Sequence, residues 1–290
     1  MPVEAPGPRA ATRSHAMPPK TPSPARPAAA AATPSGLAID RLNLSAKPPG
    51  SQMVCLIFVA GHDDLLVSEI ASDLSGQYDH LRGVPKALLP AREGEEETIL
   101  GRWWREVNTR QQFRECYLIT NAHQYKYFER WATASGFPVE NIVNDGTTSH
   151  AGRLGAISDL DLVLRAKAIA DTDVMVIAGD MLFSQGFDIS GVQRFFRLRG
   201  GDVAVYYELA PGEPADARGL LDVDGFTSRV TALHEKPRSE LCKVSSRLAS
   251  VVFYVLRAVT LETLPAFLAE EPDVERRSFG RYASRSRRCT

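Results

Sequence analysis

The feature that most constrains the fold of this chain is a short apolar run that ends at a glycine. Residues 54–60 read VCLIFVA, and Gly61 follows them. An uninterrupted apolar run of this length is typical of a strand buried on both faces of a parallel sheet. The loop after such a first strand lies where doubly wound α/β proteins bind nucleotides. We therefore predict a nucleotide-binding loop within residues 54–90, with Lys86 directly after a proline and within reach of a phosphate.

Strands and helices alternate along the rest of the chain. Strands are predicted at residues 116–120, 142–143, 174–178, 202–209 and 251–256, with amphipathic helical segments between most of them. Repeated β–α units indicate a parallel sheet with right-handed crossovers. A hairpin is predicted in residues 219–234 with its turn at Asp224 and Gly225, a favoured turn pair. The predicted fold class is α/β, a Rossmann-like three-layer α/β/α arrangement with a mixed, mostly parallel sheet.

Two terminal segments differ in composition from this predicted domain. Residues 1–49 are rich in Pro, Ala, Ser and Thr and are predicted to be a disordered leader on a cytoplasmic protein. Their basic, acid-poor bias leaves import into an organelle as the alternative. Residues 276–290 contain six arginines and are predicted to lie outside the domain, which would span residues 50–275 and be incomplete at its C-terminus. A basic tail that binds nucleic acid is the alternative for this segment.

Composition excludes several broad classes of partner. The formal net charge of -1 gives no general reason for binding nucleic acid or a membrane surface. No apolar run approaches the roughly 20 residues of a membrane-spanning helix. The four cysteines lack paired spacing, and Cys55 and Cys116 lie within apolar runs, so reduced structural thiols in an intracellular compartment are predicted. The six histidines show no spacing typical of metal ligands.

Asp180 and Lys86 are the strongest candidates for chemistry. Asp180 follows Gly179 at the end of a predicted buried strand, where it would project into the crevice at the sheet edge. Mg²⁺ can be held there by one or two carboxylates together with phosphate oxygens. A helix cap or turn is the alternative role for Asp180. The Lys86 ammonium could neutralise phosphate charge, and the alternative is a solvated surface lysine.

Two further acidic motifs lie in the second half of the chain. Glu235 and Lys236 form an acid–base pair at the end of the predicted hairpin, and a solvated salt bridge is the alternative. Asp222 and Asp224 resemble the two-aspartate motif with which glycosyltransferases hold a metal. Their position in a hairpin turn favours turn chemistry instead.

Taken together, these segments resemble the sugar-phosphate nucleotidyltransferase family, which includes glucose-1-phosphate thymidylyltransferases. The matching segments, in order, are residues 58–61 (FVAG), 83–90 (GVPKALLP), 117–121 (YLITN), 153–156 (RLGA), 176–180 (VIAGD) and 230–237, which ends in EKP. The resemblance covers about residues 53 to 270. It implies condensation of a nucleoside triphosphate with a sugar 1-phosphate or another small phosphorylated molecule, with release of pyrophosphate.

The resemblance also implies roles for particular residues. Ala60 and Gly61 would lie under the nucleotide, and Gly155 would let the base or sugar approach the backbone. Lys86 would meet the phosphates, and Asp180 would hold Mg²⁺. In addition, Glu235 and Lys236 would contact the sugar phosphate. No sequence pattern assigns the base, the acceptor phosphate or an oligomeric state.

Two features depart from the family pattern. The family's loop continues after this glycine as a glycine-rich turn ending in Gly-Thr-Arg, whereas residues 62–66 read HDDLL. The family also has a second metal-binding aspartate near the end of its sheet, and no Asp follows Asp273 here. Family activity is therefore our main interpretation. A catalytically impaired relative that only binds a nucleotide or nucleotide-sugar is the first alternative, and a glycosyltransferase is the second.

Overall fold

The computed structural model of the protein describes residues 53–92, 94–110, 112–183, 187–215, 218–235 and 246–286. These residues belong to one compact unit, Pro48–Thr290. The predicted leader and Lys236 lie outside the described residues. None of the described helices is both long enough and apolar enough to cross a bilayer.

Eight strands of the described chain form one mixed sheet. They are β1 Val54–Val59, β2 Glu115–Thr120, β3 Ile142–Asn144, β4 Val174–Ala178, β5 Val203–Glu208, β6 Leu220–Val223, β7 Val230–His234 and β8 Leu248–Leu256. The order is β3-β2-β1-β4-β8-β6-β7, and β5 pairs with β8. Strands β1 to β4 pair in parallel, whereas β5 to β8 join the sheet through antiparallel pairs. The predicted mixed α/β sheet is confirmed.

Helices cover both faces of this sheet. They are α1 Asp64–Ser72, α2 Ile99–Arg110, α3 Tyr125–Ser135, α4 Ala156–Ala166, α5 Ile189–Arg199, α6 Ala258–Leu261, α7 Leu264–Glu270 and α8 Phe279–Ser286. Short 3₁₀ turns occur at Asp79–Leu81, Lys86–Leu88, Val139–Asn141, His150–Gly152 and Val274–Arg276. Helices α2, α3 and α5 contribute to the core on one face, and α4, α7 and α8 to the core on the other.

Strand β1 shows why its sequence is apolar without interruption. Cys55 and Ile57 belong to one core, and Val54 and Leu56 belong to the other, because successive strand residues point to opposite faces. All four are completely buried. Cys55 lies opposite Cys116 in the β1–β2 register, and both are free thiols. Burial and the neighbouring Cys116 raise the pKa of the Cys55 thiol.

The segment after α7 is a domain element, so the prediction that residues 276–290 lie outside the domain is wrong for residues 276–286. The ring of Phe279 stacks on Tyr254 with centroids 5.2 Å apart and meets Phe58 edge-on at 5.4 Å. Tyr282 is buried beside Phe267. Two aromatic residues three positions apart give one short apolar face, which the abundance of arginine hides in the sequence.

The hairpin of β6 and β7 is confirmed, and the loop between the two strands contains the predicted turn pair Asp224 and Gly225. The loop closes where the Asp224 amide donates to the Arg229 carbonyl at 2.8 Å. Asp224 Oδ1 accepts from the Thr227 amide at 2.7 Å, and Ser228 takes a positive φ of 59°. Polar side chains of this loop hydrogen-bond to its backbone, which stabilises the turn.

A gap in the strand pairing along β8 lies beside a cleft in the described part of the fold. Tyr254 of β8 pairs with β4 on one edge and β5 on the other, while Ala249 pairs with β6 and β5. Strands β4 and β6 therefore share one edge of β8, one after the other. Between them, residues 250–252 pair with neither strand, and the register with β5 shifts at this point.

Candidate active site

Lys86 and Asp180 form an ion pair where β4 ends. The Lys86 Nζ lies 2.8 Å from Asp180 Oδ2, and both side chains are partly exposed. The two residues are 94 positions apart in the chain. The two strongest candidates from the sequence are therefore brought together. An ammonium beside a carboxylate at this edge of a parallel sheet can bind a phosphate and a cation side by side.

Gly179 sets the position of Asp180. Its amide donates to the Phe58 carbonyl of β1 at 2.9 Å. A Cβ atom at this position would lie 2.4 Å from Val59 Cγ1 and 3.0 Å from Ile57 Cγ2. Only a glycine lets β4 end this close to β1, so the local sequence Gly-Asp directs the carboxylate out over the sheet edge.

The 3₁₀ turn Lys86–Leu88 brings the lysine to this edge. Pro85 precedes the turn and is buried, as is Ala87 within it. The Leu88 amide donates to the Pro85 carbonyl at 2.8 Å, which closes the turn. A buried proline and alanine anchor the segment from below, while the long lysine side chain extends to Asp180.

The predicted nucleotide-binding residues Ala60 and Gly61 follow β1 and are held from below. The Asn121 Nδ2 donates to both of their carbonyl oxygens at 3.1 Å. Asn121 is completely buried, and its Oδ1 accepts from the Gln124 amide at 2.8 Å. This asparagine ends the resembling segment 117–121, so the motif supplies a support for the loop after β1.

Asp63 is a central residue of the site that sequence reasoning placed only within a divergent loop. Its Oδ2 accepts from the Lys86 backbone amide at 3.0 Å and from Gln124 Nε2 at 3.2 Å. It precedes α1 in the left-handed conformation with φ of 53°. No local signal could reveal these contacts, because Lys86 is 23 and Gln124 is 61 positions away.

A second polar group lies beside this loop. His62 Nε2 is 3.2 Å from Thr147 Oγ1, which donates to Asp145 Oδ2 at 3.1 Å. Asp159, in the first turn of α4, is 6% exposed, and its Oδ1 has no hydrogen-bond partner. Burial, and to a lesser extent the charge of Asp145, raises the pKa of Asp159 to about 7. The sequence analysis missed this buried acid, which lies in α4 between the buried residues Ile157 and Leu160.

A cleft of about 410 Å³ opens beside the Lys86–Asp180 pair, at the gap between β4 and β6. Its polar lining residues are Lys86, Asp180, Arg218, Glu235, Ser250 and Ser278. Arg218 is paired with Glu213 at 2.9 Å. Glu235 accepts from Ser278 Oγ at 3.1 Å, so the segment before α8 fixes the carboxylate at the cleft wall.

Gly155 lies at the start of α4, where other segments of the chain pack closely against it. Gly155 caps α4 with a positive φ of 88°, and a Cβ there would lie 3.0 Å from both Val274 O and Arg277 Cβ. The Arg277 carbonyl accepts from the Ile157 amide at 3.1 Å. In this structure the close approach to Gly155 is made by the chain itself, and the role of Gly155 in nucleotide binding stays a prediction.

Asp222 and Asp224 are engaged in local contacts of the hairpin. Asp222 Oδ2 lies 2.8 Å from His234 Nε2 across the β6–β7 pair. Hydrogen bonds from Thr227 lower the pKa of Asp224. These contacts agree with the structural role that the sequence favoured. Lys236, the neighbour of Glu235, lies outside the described residues.

The residues present fit a Mg²⁺ ion only when a phosphate completes its shell. Asp180 offers one carboxylate beside the cleft. Among the described residues, no group of three His, Cys, Asp or Glu side chains is arranged to hold a metal. Mg²⁺ characteristically takes one or two carboxylates, substrate phosphate oxygens and water, so a single aspartate meets the protein's share of the requirement.

Comparison with solved structures identifies the fold of this chain. Neither the protein-family models nor the curated proteins give a match. Among solved structures, UDP-glucose pyrophosphorylase complexed with UDP-glucose matches with a TM-score of 0.56 and 16% identity, covering 81% of this chain and 86% of that chain. A protein from Bacillus anthracis assigned as a glucose-1-phosphate thymidylyltransferase, in complex with a sucrose, matches with a TM-score of 0.55 and 14% identity, covering 78% of each chain.

The apo form of UDP-glucose pyrophosphorylase matches with a TM-score of 0.52 and 14% identity, covering 74% of this chain and 80% of that chain. The chain therefore has the sugar-phosphate nucleotidyltransferase fold. The resemblance drawn from six short segments of sequence is confirmed at the level of this nucleotidyltransferase fold.

Proposed function

We propose that this protein joins a nucleoside triphosphate to a sugar 1-phosphate, or to a similar small phosphorylated molecule, and releases pyrophosphate. The observation that carries the proposal is the Lys86–Asp180 pair, with its 2.8 Å contact, beside a cleft of about 410 Å³ on a nucleotidyltransferase fold. The solved structures supply the general kind of reaction by similarity of fold. The pair and the cleft supply the local chemistry.

The reaction asks the protein mainly to align two anions and to reduce their repulsion. An oxygen of the acceptor phosphate forms a bond to the α-phosphorus of the nucleotide, and the bond from that phosphorus to the bridging oxygen of pyrophosphate breaks. The Lys86 ammonium is placed to stabilise the negative charge that develops on the phosphoryl oxygens. Asp180 would hold Mg²⁺, which when bound supplies further positive charge to the phosphates.

The other proposed roles belong to residues on either side of the Lys86–Asp180 pair. Ala60 and Gly61, held by Asn121, would support the nucleotide, with Gly155 as a further proposed contact. Glu235 lines the cleft and would contact the acceptor, with Lys236 next to it in the chain. A carboxylate at this wall suits the hydroxyl groups of a sugar, because it accepts hydrogen bonds from them.

Pyrophosphate release tests this proposal directly. The full chain is incubated with Mg²⁺, each nucleoside triphosphate and a panel of sugar 1-phosphates and phosphocholine. We expect release with at least one pair, and a fall in turnover of at least about 100-fold in Lys86→Ala and Asp180→Ala.

Lys126→Ala is the matched control for the first variant. Lys126 also pairs with an acid, Glu129, at 2.7 Å, but on the exposed surface of α3. Its turnover should equal that of the unmodified protein. Release of pyrophosphate that is unchanged by Asp180→Ala would remove this residue from the site.

A second candidate function is binding of a nucleotide or nucleotide-sugar without transfer. The observation that favours it is Asp63, whose carboxylate occupies the loop after β1 where it hydrogen-bonds the Lys86 amide. In this case the chain would bind a nucleotide by calorimetry and would release no pyrophosphate with any pair of substrates.

A further inference from the structure

Two hydrogen-bond donors converge on one carboxylate oxygen at the loop after β1. The Lys86 amide and the Gln124 side-chain amide both donate to Asp63 Oδ2, at 3.0 Å and 3.2 Å. Gln124 is 5% exposed, so its donor group is fixed within the protein. Donors that converge in this way form a site for an anionic oxygen, and here the chain's own carboxylate fills it.

The site for this oxygen is built by three separate segments. Asp63 comes from the β1–α1 loop, Lys86 from the 3₁₀ turn, and Gln124 from the start of α3. Asn121 braces two of the segments, since its side chain donates to the Gly61 carbonyl and accepts from the Gln124 amide. The Gln124 backbone is therefore held by a contact that does not involve Asp63, and the turn that carries Lys86 is closed by the Leu88 amide, which donates to the Pro85 carbonyl.

The same segment also carries the cation of the candidate active site. The backbone of Lys86 donates to Asp63, while the side chain of Lys86 pairs with Asp180. A phosphate bound by the Lys86 ammonium would thus lie about one lysine side chain away from the fixed negative charge of Asp63. An oxyanion on a ligand and the carboxylate of Asp63 would compete for the same donors and repel each other.

We propose that Asp63 is a specificity-determining residue, a built-in anion that fills the oxyanion position beside Lys86 and disfavours chains of phosphate groups that carry no bound divalent cation. This inference rests on the proposed function and deepens it, because it states that a nucleoside triphosphate would enter this site with Mg²⁺ bound to its phosphates. A ligand with a single phosphate can contact the Lys86 ammonium alone, whereas a chain of phosphates would extend toward Asp63.

Binding of phosphate chains tests the role of Asp63 without any catalysis. Titration calorimetry on the full chain, in buffer without divalent cations, compares inorganic phosphate with tripolyphosphate for the unmodified protein and for Asp63→Asn. Asparagine keeps the shape, an acceptor oxygen for the Lys86 amide and a tolerance of left-handed φ, but removes the charge. We expect tripolyphosphate affinity to rise at least about tenfold and phosphate affinity to change less than about threefold.

Asp64→Asn is the matched control. Asp64 is the next residue, and its exposed carboxylate lies 3.4 Å from His150 Nδ1 and away from the two donors. Removing this charge should raise tripolyphosphate affinity by less than about threefold, because solvent screens it. An equal gain in both variants would overturn the proposal, since it would reflect the charge of the loop in general.

A second variant guards against a loss of folding. Glycine adopts a φ of 53° without strain, so Asp63→Gly removes the carboxylate and keeps the backbone. The same gain for tripolyphosphate is expected, with thermal unfolding recorded to show a folded chain. Weaker or unchanged binding in the folded variants would show that Asp63 only clamps the loops, and would overturn the proposal.

The outcome is independent of the test for nucleotidyl transfer. Tripolyphosphate carries no nucleoside, so a gain in its binding supports the role of Asp63 even in a protein that releases no pyrophosphate from nucleotides. Conversely, active transfer combined with unchanged binding in Asp63→Asn would leave the proposed function standing and refute this inference alone.

Discussion

The two ends of the candidate active site differ in how much open space lies beside their polar groups. We call the loop after β1, with Asn121, Gln124 and the nearby acids, the nucleotide end. The cleft between β4 and β6 is the acceptor end. At the nucleotide end, side chains of the chain itself take up the donors, with Asp63 accepting two hydrogen bonds. At the acceptor end, about 410 Å³ of space is open to a ligand.

The Lys86–Asp180 ion pair therefore lies between two unlike surroundings, a loop filled by the protein's own side chains and an open cleft. Lys86 and Asp180 stand at the boundary, and Lys86 contacts the nucleotide end through its backbone and the acceptor end through its side chain. Under the proposed function, the open cleft would take the small phosphorylated ligand, and the charge of Asp63 would restrict what binds at the other end. Four variants can break or sharpen this comparison.

The largest expected effect concerns the buried acid near the nucleotide end. The folded protein keeps the proton on Asp159 until about pH 7, whereas the unfolded chain loses it near pH 4. Since the folded state then binds more protons, the free energy of unfolding should fall as pH rises from about 4 to 7, by up to about 4 kcal/mol, and level off above that. Urea unfolding at several pH values measures this slope.

Asp159→Asn should remove this pH dependence and raise stability at pH 8. Asp161→Asn is the control, because that carboxylate lies on the same helix and pairs with Arg165 at 2.8 Å. The control should keep the slope of the unmodified protein. If the free energy of unfolding of Asp159→Asn still falls as pH rises, the pH dependence belongs to other groups. The buried acid would then not distinguish the nucleotide end from the acceptor end.

The next effect is expected at the boundary itself. Gly179→Ala places a Cβ 2.4 Å from Val59 Cγ1, so β4 must move away from β1 or the core must distort. We expect a loss of about 1–3 kcal/mol of stability by urea unfolding, together with lower turnover because Asp180 shifts. Gly191→Ala in α5, where a Cβ meets nothing within 4 Å, should change stability by less than about 1 kcal/mol and in the stabilising direction.

A smaller effect is expected at the acceptor end. Ser278→Ala removes the hydrogen bond of 3.1 Å to Glu235 and should cost about 1 kcal/mol of stability or less. Because Glu235 then loses its fixed position, the KM for the acceptor should rise, while the KM for the nucleotide stays constant. Ser72→Ala on the exposed side of α1 is the control. Equal changes in both KM values would indicate that the two ends are not separate.

The smallest effect is expected in the β6–β7 hairpin. Asp222 contacts His234, and Asp224 accepts hydrogen bonds from Thr227 within the turn. The double variant Asp222→Asn, Asp224→Asn should leave pyrophosphate release unchanged. Metal-dependent hydrolysis of a nucleotide-sugar that disappears in this variant would instead support a glycosyltransferase and would move the chemistry away from both ends.

Much of the fold was predictable because its strands have a local signature. The runs that became β1 and β4 are apolar throughout, and β2 is apolar between Glu115 and Thr120, as expected for strands covered on both faces. Lys86 and Asp180 were predicted from the residues next to them, a proline and a glycine. By contrast, α8 was not predicted from the sequence, because its buried face consists of few residues, chiefly Phe279 and Tyr282, among several arginines.

The sequence by itself determined the α/β architecture, the strand that starts it and the two residues at the edge of β4. These follow from periodicity and from neighbours within a few positions. Only the tertiary structure decided that Asp63 meets Lys86 and Gln124, and that β4 and β6 share one edge of β8. Such contacts join segments tens of residues apart, and they depend on how closely the strands and loops pack, which no local pattern encodes.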